Sequence, residues 1–186
     1  VMDSDYTPEG LGFNYTRALG ENHTFGMNIG AIIVDESSDD SSDAYAGLAQ
    51  VTLDSELSSK LSSHIGVSTY SIFNKEAAKE AHAHRGNTAT YSGSDQTLSY
   101  NYNPVIIDAA LTYNLDSFPM WEGSFPVKLG GTYINNPAVT AKNEAYLLGI
   151  TFGKAKKSGT WQFSWQFVEK QADSLYDNWS DSDFGA

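Results

Sequence analysis

Apolar and polar residues alternate along most of this chain with the two-residue period of a β-strand. The stretch 158–170 is the clearest, with Trp161, Phe163, Trp165 and Phe167 on one side and Thr160, Gln162, Ser164 and Gln166 on the other. Before it, Tyr146, Leu148, Ile150 and Phe152 alternate with Ala145, Leu147, Gly149, Thr151 and Gly153. Phe125, Val127, Leu129 and Tyr133 oppose Lys128, Gly130 and Thr132, and over 104–115 Ile107, Ala109, Leu111, Tyr113 and Leu115 oppose Asp108, Ala110, Thr112 and Asn114. Near the start, Leu11, Phe13 and Tyr15 oppose Gly12, Asn14 and Thr16; Phe25, Met27, Ile29, Ala31 and Ile33 then oppose Gly26, Asn28 and Gly30. The segments 44–54, which carries Gln50 and Thr52, and 60–73 alternate less cleanly. The pattern predicts an all-β antiparallel protein of about eight strands. One stretch, Lys75 to Arg85, is rich in Ala, Glu and Lys and predicts a short helix inside a loop.

The connections fall into two groups. Short links at Gly20-Glu21, Asp54 to Ser59 and Lys154 to Lys157 alternate with longer or more polar ones at Asp35 to Asp43, Asn74 to Leu98 and Gln171 onward. The link 135–142 is intermediate, and 116–123 is longer than its place predicts. Segregated loop lengths are a property of membrane barrels, with tight turns on one side and long loops on the other.

Composition narrows the picture. No run approaches the roughly 18–20 apolar residues of a membrane helix, but a barrel alternates and so averages out in a hydropathy scan. Cysteine is absent, which excludes disulfide scaffolds and thiolate metal sites. The net charge of −12 and the lack of a basic stripe argue against nucleic acid as a partner. The chain opens at Val1 with no basic stretch followed by an apolar one, so no signal peptide is visible.

Alternation does not say which face is outside. A soluble barrel or sandwich turns its apolar face inward, whereas a membrane barrel turns it to lipid and surrounds water with its polar face. Two details favour the second arrangement. Aromatic residues mark the strand ends as an interfacial girdle requires, among them Phe13, Tyr15, Phe25, Tyr45, Tyr113, Tyr133, Tyr146, Phe152 and Trp161. Glycines at 12, 26, 30, 130, 149 and 153 recur on the polar side, where they add nothing to an apolar core but relieve curvature. Phe163, Trp165 and Phe167 join the lipid-facing set. The wet lumen would be lined by Asn14, Asn28, Gln50, Thr52, Asp108, Thr112, Asn114, Lys128, Thr132, Gln162, Ser164 and Gln166.

Candidate chemistry is sparse. The run Asp35 to Asp43 and the acids Asp173, Asp177, Asp181 and Asp183 leave calcium open as a ligand, although neither has EF-hand spacing and solvated loops explain both. His82 and His84 could chelate a metal if extended, but read more simply as loop histidines. No nucleophile elbow or phosphate loop is present, so no catalytic residue, cofactor or enzyme activity is expected. The loop 74–98 is the longest, and an inward fold would place Lys75, Glu76, Lys79, Glu80 and Arg85 at a constriction.

The two ends of the chain add a resemblance. Asp5-Tyr6-Thr7-Pro8-Glu9-Gly10-Leu11, leading into the strand Leu11–Leu19, resembles the Pro-Glu-Gly-Leu lead-in of a bacterial porin family of outer-membrane β-barrels. The stretch from Ala172-Asp173-Ser174 to Asp181-Ser182-Asp183-Phe184-Gly185 is similar to that family's loop containing Asp-Ser-Asp-Phe. In the family both motifs lie inside a longer barrel, so the resemblance implies an internal piece of one. It also implies the bacterial outer membrane, lipid contact and passive diffusion of small hydrophilic solutes; the acidic outer loops would raise cation concentration at the mouth and give a mild cation preference. A homo-oligomer stays open. So do two alternatives, a soluble β-sandwich or barrel binding carbohydrate or another small ligand, and a non-conducting anchor or adhesin barrel.

Overall fold

The computed structural model describes residues 9–35, 43–77, 86–92 and 95–179. Over them the alternating segments become one antiparallel sheet of eight strands. Its order is β1 (Gly10–Leu19), β2 (His23–Asp35), β3 (Ala44–Glu56), β4 (Leu61–Phe73), β7 (Val105–Leu115), β8 (Phe125–Asn135), β9 (Glu144–Gly153) and β10 (Gln162–Lys170). The short pair β5 (Ala89–Ser92) and β6 (Asp95–Leu98) stands apart, within the β4–β7 connection. The described residues hold no α-helix, only a 3-10 turn at Asp177–Trp179. β1 and β10 are the two edges of the sheet, which is open rather than closed into a barrel.

The links 20–22, 57–60, 116–124 and 154–161 lie at one end of the sheet, and the chain leaves β2, β4, β8 and β10 at the other. Local chemistry makes the first set tight. Gly20 takes a φ of 74°, which lets β1 reverse into β2. In 57–60 the Ser58 hydroxyl accepts from the amides of Lys60 and Leu61. This link is shorter than the expected Asp54 to Ser59, because β3 runs on to Glu56 by pairing Ser55 and Glu56 with Ser63 and Ser62. The stretch 158–161, expected as strand, is the end of a turn: Thr160 Oγ1 accepts from the amides of Lys156 and Lys157, and β10 starts at Gln162. Of the expected helix, the start is a turn closed by Ala77 N–H to Asn74 O, and residues 78–85 lie outside the described residues.

The dry core is not in the middle of the molecule. It sits at the long-loop end, on the same side of the sheet as the polar residues. Ala46, Tyr70, Ile72, Ile134 and Ala145 extend from the strands, and Leu98, Tyr102, Leu175, Tyr176 and Trp179 cover them from the connecting segments. Ile32, Leu48 and Ile106 complete it. This placement explains why 44–54 and 60–73 alternate poorly: at that end of each strand both faces are apolar, one toward this core and one outward.

Candidate functional site: the polar wall of the sheet

Register brings the polar positions of all eight strands to one face. Three cavities, of about 470, 310 and 330 Å³, lie against it. The second is touched by His64, Asp108, Lys128, Thr151 and Gln166, that is by five consecutive strands of the sheet. Residues so far apart along a sheet meet one cavity only if that face is concave. The polar wall is therefore the inner surface of a curved sheet.

Three layers succeed one another along the strands. Nearest the short turns is a charged layer. His64 lies between two carboxylates, with Nδ1 2.7 Å from Asp54 Oδ1 and Nε2 2.9 Å from Asp108 Oδ2. Asp54, His64 and Ala110 are register partners, while Asp108 pairs one row away with Gly66. The Asp108 carboxylate lies over Gly66, and a Cβ added there would come within 2.6 Å of Oδ1. A glycine at that point lets the acid lean back to the imidazole. Lys128 and Thr112 pair in the adjacent row with Ser62 and Glu56.

The middle layer is built of amides. Asn14 Nδ2 donates to Asn28 Oδ1 at 2.6 Å, and Asn28 Nδ2 donates to Gln50 Oε1 at 2.8 Å. The three are register partners, with Ser68 next in the row. Side-chain amides suit such a ladder, since each carries both donors and an acceptor. Thr52 and Thr132 stand in the row of Gly66 and Asp108, and Gln166 in the row of Gly149 and Gly130. Ser164 Oγ lies 3.1 Å from Thr151 Oγ1, and Gln162 Nε2 donates to Ser164. Asn114 closes the wall near the turns, where its backbone N–H donates to Lys60 O.

The third layer is the dry core, and it is held by buried polar groups. Asp173, 2% exposed, accepts from Thr88 N–H and Tyr102 O–H on Oδ1 and from Thr88 O–H on Oδ2. Asn87 Nδ2 donates to the carbonyls of Ala172 and Leu175, and its backbone amide and side-chain oxygen bind Asp177. Asn136 Nδ2 donates to the carbonyls of Asn101 and Asp173, and Tyr70 O–H accepts from Tyr176 N–H. The connections 74–104 and 136–143 and the strand β4 are thus tied to the segment 171–179.

That segment packs inward; of the expected constriction residues only two are described. Lys75 Nζ donates to Ser99 O at 3.4 Å and Glu76 is exposed, while Lys79, Glu80 and Arg85 lie outside the described residues. So do His82, His84, Asp181, Asp183 and most of the acidic run 35–43. Asp173, one of the acids that leave calcium open, accepts from protein donors on both oxygens. Among the described residues no group of three His, Asp or Glu is placed to hold a metal.

The opposite, convex face carries Phe13, Tyr15, Phe25, Tyr113, Tyr133, Tyr146, Phe152, Phe163, Trp165 and Phe167 in its register rows. Phe163 and Trp165 are 57% and 54% exposed. Trp161 departs from this set. It lies outside β10 and packs against Phe118, Trp121 and the fully buried Phe125, with ring centroids 6.0, 5.9 and 5.4 Å away. Tyr133 and Tyr146 hold Glu144 and Glu169 by their hydroxyls.

Asp54, Glu56, Ser62, His64 and Ser68 escaped the reading of the sequence. All have the parity of Gln50 and Thr52 in segments whose alternation the dry core blurs, so parity counted from the turn end would have found them. Asn87 and Asn136 carried no signal, since loop asparagines are ordinary. Comparison with protein-family models, with curated proteins and with solved structures gives no match for this chain.

Proposed function

We propose that this sheet is wall of an outer-membrane β-barrel of the porin kind, through which small hydrophilic solutes diffuse. The observation that carries the reading is the inverted distribution of greasy side chains. Even on central strands Ile65, Ile107 and Leu129 are 51%, 44% and 50% exposed, on the convex face. Water-soluble monomers rarely expose continuous apolar patches beyond roughly 300–600 Å², and here the patch runs across every strand. The concave face meanwhile holds charges and amides. Strands of 9 to 13 residues suit a tilted crossing, which takes about 9–11 residues. Lipid leaves strand edges unsatisfied, so in a bilayer β1 and β10 must be paired, with each other or with further strands.

Asp54, Glu56 and Asp108 stand against His64, Lys128 and Lys170 on the described inner face, so it is the net charge of −12 that supports mild cation preference. The inward packing of 171–179 favours a second reading, a non-conducting barrel that presents its long loops. Three measurements decide. The protein should fractionate with outer membranes and need detergent, its proteoliposomes should swell in glycerol and pentoses, and reversal potentials should be cation-selective. Recovery in buffer without detergent sinks both readings; membrane insertion without swelling leaves the second.

A further inference from the structure

One register row of the inner wall has opposite charges at its ends and hydroxyls between them. Glu56 pairs with Ser62, Ser62 with Thr112, and Thr112 with Lys128. All four line the 470 Å³ cavity. Three inter-strand steps separate the end residues, roughly 14 Å at the backbone of a flat sheet, too far for a direct ion pair. Lys128 accordingly has no ion pair among the described residues, nor has Glu56. The nearest alternatives are already engaged, because Asp54 and Asp108 both bind His64. Glu21, on the first turn, lines the same cavity on the Glu56 side. An uncommitted ammonium and an uncommitted carboxylate thus face one wet cavity from opposite sides, over a floor of two hydroxyls.

We infer that the row Glu56–Ser62–Thr112–Lys128 is a binding site for small zwitterions that carry an ammonium and a carboxylate, such as free amino acids. The solute carboxylate would meet Lys128 and its ammonium Glu56, with Ser62 and Thr112 donating to or accepting from the polar groups between. A singly charged solute engages one end and leaves the other unpaired. A neutral solute gains only the hydroxyls. The site rests on the pore reading for its access to water, and it deepens that reading by naming a preferred solute class.

The test uses the full chain in detergent micelles, titrated calorimetrically with γ-aminobutyrate, butyrate and butylamine. γ-Aminobutyrate should bind at least ten-fold more tightly than either singly charged probe. Glu56→Gln and Lys128→Gln should each remove that advantage. The exchange Glu56→Lys with Lys128→Glu should restore it to within about three-fold, since a zwitterion can turn round. Equal binding of all three probes, or indifference to both single variants, overturns the site; should the exchanged protein fail to fold, the single variants decide. Binding in micelles requires no transport, so its absence leaves the pore reading intact. Absence of glycerol swelling by the unaltered protein strikes the pore reading instead.

Discussion

Gly66 and Asp108 face each other across the β4–β7 pair, and the carboxylate of Asp108 occupies the space that a side chain at 66 would need. The inner wall is crowded at that point because concave curvature brings side chains of neighbouring strands together. The acid reaches His64 only across the bare backbone.

Gly66→Ala should therefore push Asp108 off the imidazole. The expected cost is about 1–3 kcal/mol, the usual range for an overpacked site, read as a lower denaturation midpoint. Gly12→Ala on the same face is the control, because its nearest neighbour would be 4.0 Å away and the cost should be small. Equal stability of the two variants would show that Asp108 is not held in this geometry.

Asp173 anchors the inward segment by accepting from Thr88 and Tyr102. Asp173→Ala takes this acceptor from the buried Tyr102 hydroxyl and from the exposed Thr88. We expect a loss of about 1–3 kcal/mol and a red shift of Trp179 emission as the segment loosens. Unchanged emission, with the other tryptophans replaced, would mean that Asp173 does not hold the segment in place.

Leu129 pairs with Leu111 and Ile150 in the middle of the convex face. Replacing it by arginine should cost about 2–4 kcal/mol if that face meets the centre of a bilayer. On a water-facing sheet the same change stays within about 0.5 kcal/mol. Unfolding titrations of the reconstituted protein separate the two values.

Trp165 and Trp179 report the two sides of the wall, at 54% and 2% exposure. In vesicles of brominated phospholipid, a protein retaining only Trp165 should lose most of its fluorescence. One retaining only Trp179 should keep it. Equal quenching would place the wrong face toward lipid.

Period-two alternation in the amino-acid sequence determined the strands, their antiparallel order and the division into polar and apolar faces, because side chains on a strand can point only two ways. It also put Asn14, Asn28, Gln50, Asp108 and Lys128 on one wall. Tertiary structure alone decided which wall is concave, since curvature belongs to the sheet and leaves the period unchanged. It alone joined His64 to Asp54 and Asp108, residues ten and forty-four positions away. And it gave an inward-packing role to 171–179, whose Leu175, Tyr176 and Trp179 have apolar strand ends to cover. A local pattern cannot reveal such a match, because the complementary surface is assembled from strands distant in the chain.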